Sequence, residues 1–276
     1  MRNLSTLAWR VYDAPTKPWH GVVADTEGDD SVYVMRVERR DGVSQLTLAH
    51  ITPTGTEELA VLEVASAPPH VPDVADFRLL ADGGSSVNHM PAICVIGSGG
   101  DIVLMPVDEE ASAPAEVVGS VDQGILAAAW SPEEDVLVLI TGGEKRLIVM
   151  TREFEVMSET MLSTEAFGDD QPVNVGWGSK STQFHGSEGK QAAMAAANAP
   201  EESDPRGPLV PEDDGLPRIS WRGDGAFFVT SSAEASHDTV HRILRTYTRT
   251  GTLSATSDRS VRGISHVLAC LSLIHI

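Results

Sequence analysis

Residues 125–159, ILAAAWSPEEDVLVLITGGEKRLIVMTREFEVMSE, break into four short apolar runs at 125–130, 135–141, 145–151 and 154–159. Ser-Pro-Glu-Glu, Gly-Gly-Glu and Arg-Glu separate them, residue types that favour turns or contact with water. Each run is shorter than an ordinary helix and rich in β-branched or large apolar side chains, so each reads as a strand. Four consecutive strands with short connections form an antiparallel meander, the unit of a β-propeller blade.

A blade implies recurrence, and the chain supplies it. The first run ends in Ala129-Trp130-Ser131-Pro132. Similar stretches are Asp76-Phe77-Arg78-Leu79, Gly176-Trp177-Gly178-Ser179 and Ser220-Trp221-Arg222-Gly223-Asp224-Gly225. A fifth begins at Ser265-His266-Val267-Leu268-Ala269, with Cys270 in the aromatic's place. Phe77, Trp130, Trp177, Trp221 and Cys270 are spaced by steps of 44 to 53 residues, close to the roughly 40–45 of WD-repeat blades with some loop insertion. The expected fold is all-β, an incomplete WD-repeat-type propeller.

Elsewhere, 31–38 (SVYVMRVE) and 44–51 (SQLTLAHI) flank Arg39-Arg40-Asp41-Gly42, a hairpin signal within an otherwise irregular first portion, 1–70. Pro68-Pro69-His70-Val71-Pro72 interrupts regular structure. Residues 91–96 and 101–107 read as strands around Gly97-Ser98-Gly99-Gly100, and 108–116 as a polar connection. Residues 191–217 are Ala-rich and then Pro-rich and acidic, composition too polar to bury, and read as a disordered loop. The partial propeller then spans 1–269. The last six residues, 271–276, read as a non-native tail, because one choice of codons spells a common sequencing adaptor.

Charge narrows function. With 40 Asp and Glu against 20 Lys and Arg the net charge is −20, which disfavours phosphate backbones and anionic lipid. Cys94 and Cys270 belong to no metal-type spacing. No run approaches the roughly 18–20 apolar residues that cross a bilayer, and the N-terminus lacks a signal-peptide core. These features point to a soluble intracellular chain without a membrane role.

Motifs for chemistry are weak. Gly97-Ser98-Gly99-Gly100 is followed by a strand, which favours a hairpin turn over a phosphate loop. Gly186-Ser187-Glu188-Gly189-Lys190 shares only a Gly-Lys pair with a Walker loop. His237 and His241 have a spacing that suits a metal on a helix, but the local pattern is loop into strand. Neither a nucleophile elbow nor a triad stands out. The stretch 176–190 differs: locally basic, Gly-rich and bearing an aromatic and a His in a loop, it makes Lys180, Gln183, Phe184, His185 and Lys190 the candidate interaction residues. No catalytic, cofactor or metal residues are expected.

Several of these stretches together resemble the largest-subunit family of the Elongator complex. They are Met1-Arg2-Asn3-Leu4, Trp130-Ser131-Pro132, Phe167-Gly168-Asp169-Asp170, 175–193 (VGWGSKSTQFHGSEGKQAA) and Trp221-Arg222-Gly223-Asp224-Gly225, in the family's order. The resemblance implies a non-catalytic scaffold, comprising about five blades of a seven-bladed first propeller, without cofactors. It further implies support for modification of the tRNA wobble uridine to 5-carboxymethyl-type side chains. Implied partners are a catalytic radical-SAM and acetyltransferase-like subunit and a second WD-repeat subunit, with tRNA met only through the whole complex. The second propeller, the basic tRNA-contacting segment and the C-terminal dimerisation region of the family are absent here. The implied location is the cytoplasm, and the nucleus as well. An incomplete ring would expose the sides of its terminal blades, so the isolated fragment is expected to aggregate or to be only partly ordered. Two readings compete. One is a peptide-binding propeller unrelated to tRNA, which leaves 175–193 unexplained. The other is a propeller enzyme, which needs acidic or His side chains on several inner strands.

Overall fold

The computed structural model describes residues 19–24, 31–40, 42–52, 54–80, 91–107, 114–162, 213–236 and 239–257. Every regular element among them is a strand, arranged in four antiparallel four-stranded sheets. The chain divides into two compact units, Met1–Ile125 and Leu126–Ile276.

In the first unit, sheet 1 runs β1 (Trp19–Ala24), β2 (Val32–Arg40), β3 (Val43–Ile51) and β4 (Thr56–Ala65) in spatial order. Sheet 2 runs β5 (Val74–Leu80), β6 (Ala92–Gly97), β7 (Asp101–Pro106) and β8 (Glu116–Ser120). The period-2 alternation of strands decides which residues enter the core. Met35, Leu46, Leu48 and Val64 from sheet 1 meet Ile93, Val95, Val103 and Met105 from sheet 2 in one cluster, which Tyr33 joins. Polar ties close its rim. Arg39 donates from Nε and Nη2 to Asp73 at 3.1 and 2.6 Å, and the Ala65 amide donates to Asp101 Oδ2 at 2.9 Å.

In the second unit, sheet 3 contains β9 (Ile125–Trp130), β10 (Val136–Thr141), β11 (Arg146–Thr151) and β12 (Val156–Met161). Sheet 4 contains β13 (Arg218–Trp221), β14 (Phe227–Ser236), β15 (Thr239–Thr248) and β16 (Leu253–Thr256). They share a core in which Val138, Ile140 and Val149 meet Phe228 and Tyr247, whose rings stack 5.3 Å apart. Trp221 packs there and donates from Nε1 to Ala129 O at 3.2 Å.

Turn chemistry confirms that sheets 3 and 4 repeat one plan. Ser131 N bonds Val136 O and Glu134 N bonds Ser131 O; Arg222 N bonds Phe227 O and Gly225 N bonds Arg222 O in the same way. Glu134 and Gly225 both sit at positive φ, 60° and 68°. Trp130 and Trp221, the two aromatic marks just before these turns, therefore occupy equivalent positions at the ends of β9 and β13.

The 125–159 meander forms as the apolar runs dictate, and the hairpin at 39–42 pairs Arg40 with Val43 around Gly42 at φ 84°. Two expectations change. Among the described residues the first portion of the chain is regular: β1 and β4 flank the expected hairpin and complete a sheet. The marks Trp177 and Cys270 lie outside the described residues. Finally, the expected disordered stretch 191–217 is ordered at its described end, 213–217, for a reason given below.

Candidate interaction site

Lys180, Gln183, Phe184, His185 and Lys190 all lie outside the described residues, as does His237. The stretch that carries the first five leaves sheet 3 after Leu162 and returns at Asp213, and both of these points are fixed.

Leu162 is buried at the end of β12, where its amide donates to Lys145 O at 2.9 Å and its carbonyl accepts from Tyr247 Oη at 3.4 Å. Lys145 in turn donates from Nζ to Ala233 O at 3.2 Å. The return point is held more firmly. Arg242 on β15 is 1% exposed and the Asp213 side chain is fully enclosed. The guanidinium forks onto that carboxylate, Nε to Oδ2 at 2.6 Å and Nη2 to Oδ1 at 2.5 Å, the bidentate geometry in which Arg binds carboxylates best. Its Nη1 donates to Leu216 O at 3.0 Å and to Ser231 Oγ at 3.3 Å. The hydrogen bond from Arg242 holds the Asp213 carboxyl below the usual range, burial working against it. Within the loop, Gly215 N donates to Asp213 Oδ1 and Arg218 Nη2 to Asp214 Oδ2. This clasp is why an acidic, Pro-flanked stretch is ordered. Both ends of the inserted stretch are thereby held by β15, Tyr247 at one end and Arg242 at the other.

A second charged pair lies beside it. Arg245 grips Glu234 with both terminal nitrogens, and Ser232 adds a hydrogen bond at 3.0 Å. Burial opposes ionisation of Glu234, but Arg245 and Ser232 outweigh it and the carboxyl sits below its ordinary value.

Catalytic geometry is weak among the described residues. They contain no group of three or more His, Cys, Asp or Glu side chains that could hold a metal. Burial pushes the Asp76 carboxyl on β5 upward against the Phe77 amide and Arg78, but β9 and β13, the corresponding strands of sheets 3 and 4, carry no acidic or His residue. The glycine turn between β6 and β7 is a packing device: a Cβ at Gly99 would collide with the Ala65 carbonyl, and one at Gly100, φ 120°, with that of Val121. Two of its amides are already used, Ser98 N by Asp73 O and Gly100 N by Gly97 O.

Comparison with known proteins then decides the family. The family described as ELP1 first N-terminal beta-propeller matches residues 1–270. The chain belongs to that family. Elongator complex protein 1 of Mus musculus is 32% identical over 98% of this chain and 18% of its own length. The proteins of that name from Drosophila melanogaster and Schizosaccharomyces pombe are 40% and 38% identical over 61% and 60% of this chain, each covered to 13%. The chain thus spans less than a fifth of the length of these relatives. An incomplete WD-repeat-type propeller, all-β and built of four-stranded meanders, is the architecture that family membership and the four sheets share.

Proposed function

We propose that this chain acts as a non-catalytic scaffold within the Elongator assembly. In that role it supports modification of the tRNA wobble uridine to 5-carboxymethyl-type side chains by a different, radical-SAM and acetyltransferase-like subunit. The observation that carries this reading is the family match across residues 1–270. One feature of the structure agrees with it: the cores between paired sheets are continuous and apolar, as suits a rigid platform.

In this reading the loops meet neighbouring subunits, among them a second WD-repeat protein, and tRNA is met only through the whole complex. The stretch bearing Lys180, Gln183, Phe184, His185 and Lys190 is the contact we assign first, because it is locally basic in a chain of net charge −20 and returns through the Arg242 clasp. The assembly works in the cytoplasm and nucleus. Replacing Lys180, His185 and Lys190 together with Ala in the full-length protein is expected to weaken co-purification with the catalytic subunit. It should also lower wobble-uridine modification measured by mass spectrometry of tRNA. Unchanged co-purification would reject the contact, and unchanged modification after removal of residues 1–270 would reject the scaffold role.

A further inference from the structure

The methionines among the described residues fall into two sets. Met35, Met105 and Met150 are core side chains, the first two fully enclosed and Met150 8% exposed. Met157 and Met161, both on β12, are 46% and 40% exposed. They belong to a strip: of the seven large apolar side chains exposed among the described residues, Val156, Met157 and Met161 are three, all on this one six-residue strand. The register explains why they point outward. β12 stands at the end of sheet 3 and pairs only with β11. Val156 faces Met150 and Ser158 faces Val149, so Met157 is an extra residue, a bulge that turns its side chain out of the ladder. Ser158 points toward sheet 4, where it donates to Thr250 O at 2.8 Å. Alternation then places Met161, opposite Arg146, on the other face.

A thioether has no proton to lose, so neither pH nor a neighbouring charge needs to activate its sulfur; access of an oxidant decides which methionine reacts. With a hydroperoxide the sulfur lone pair takes one oxygen as the O–O bond breaks, and the other oxygen leaves as water or an alcohol. The sulfur loses two electrons and the peroxide gains them. The sulfoxide is polar and accepts hydrogen bonds, which disrupts a core but costs little in water. At Met161 a donor stands ready as well. Arg146 has five N–H groups, and its bonds to Glu144 at 3.0 and 2.7 Å and to Glu159 at 2.7 Å engage three of them. Oxidation here changes the surface of sheet 3 and leaves its packing intact, whereas at Met150, one strand inward, it would break the packing.

The structure assigns Met157 and Met161 as a reversible modification site, oxidised to methionine sulfoxide by hydroperoxides. Thiol-dependent reductases restore the thioethers, one enzyme for each sulfoxide epimer, passing two electrons from a dithiol that becomes a disulfide while the oxygen leaves as water. The site makes the outer strand of sheet 3 redox-responsive: apolar along Val156, Met157 and Met161 when reduced, polar at two of those three positions when oxidised. This assignment stands apart from the scaffold reading and does not depend on which partners the chain meets.

The test treats the full-length protein with hydrogen peroxide and follows each methionine by peptide mass spectrometry. Met157 and Met161 should gain oxygen roughly tenfold or more faster than Met35, Met105 and Met150. In denaturant all five should react at one rate, which ties the difference to the fold. Protein oxidised at Met157 and Met161 should keep its thermal unfolding midpoint and the exchange protection of 136–151. Both epimer-specific reductases with dithiothreitol should then remove the oxygen from the folded protein. Reaction of Met157 and Met161 no faster than that of Met150 would overturn the assignment, since it would mean that the strip is covered in the full-length protein. Loss of exchange protection at 136–151 on oxidation would overturn it too, as would reductases that act only after unfolding.

Discussion

The two units differ in what they enclose. Between sheets 1 and 2 the buried contact is mostly aliphatic, Met35, Leu46, Leu48, Ile93, Val95 and Val103, with Tyr33 beside them, and its ion pair at Arg39 and Asp73 lies at the rim. Between sheets 3 and 4 the contact is mostly aliphatic too, with Phe228 and Tyr247, but sheet 4 also encloses two guanidiniums, Arg242 and Arg245. An aliphatic core tolerates substitution in proportion to volume, whereas an enclosed ion pair is nearly all or none, because removing one partner strands the other's charge. The second unit is therefore the more brittle, and its brittle point is the clasp that holds Asp213.

The largest expected effect follows from that contrast. Arg242→Ala leaves the enclosed Asp213 carboxylate unpaired and should cost about 3–5 kcal/mol of unfolding free energy in denaturant titration. Arg242→Met with Asp213→Leu should recover most of it, since apolar replacement of both partners is often neutral. If the double variant is as unstable as the single, the charge argument is broken. Next comes Leu48→Ala in the aliphatic core, at about 2–5 kcal/mol but expected in the lower half of that range, scaling with the cavity left behind. Gly99→Ala, which must displace the Ala65 carbonyl, should cost about 1–3 kcal/mol and loosen the junction of β4 with the β6–β7 turn, read by hydrogen exchange.

The smallest effect is the dependence on acid, and it has opposite signs in the two units. Asp213 and Glu234 have folded pKa values below their unfolded ones of about 3.9 and 4.3. They stabilise sheet 4 above those values, and that support is lost as pH falls through the lower, folded ones. Asp76 on β5 is shifted upward, so its ionised form burdens sheet 2 near neutrality and protonation on acidification removes the burden. Amides of β14 and β15 should accordingly lose exchange protection before those of β6 and β7 between about pH 5 and 3. Simultaneous loss would show that the units do not differ in this respect.

How much of this could be read from residues alone depended on range. The strands β9 to β12 were legible because their signals are local, short β-rich runs punctuated by Pro and Gly. The β2–β3 hairpin was legible for the same reason, through its Asp-Gly turn. β4 was hidden because TEELAVLEVA is made of residues that favour helices as much as strands, and its ladder with β3 decides the matter. β1 is six residues, WHGVVA, with a Gly inside, too slight a pattern to stand out. Asp213 looked like part of a solvated loop because its partner lies 29 residues onward on β15. The aromatic marks worked where a turn repeats, at Trp130 and Trp221. Of the candidate site, composition found the loop residues, but the anchors at Leu162 and Asp213 depend on Tyr247 and Arg242, which no local pattern connects to them.

The direct contact of sheets 3 and 4 across the 162–213 interval bears on synthesis. The end of β12, Met161, is made 57 residues before the start of β13, Arg218, which at ~5–20 residues per second is an interval of roughly 3–11 s. Through that time Val138, Ile140 and Val149 form an apolar face without Phe228 and Tyr247, the rings that complete it, which are untranslated. The nascent chain therefore passes through a stage in which sheet 3 is complete and adhesive, and its safe passage depends on what shelters that face until β15 is made.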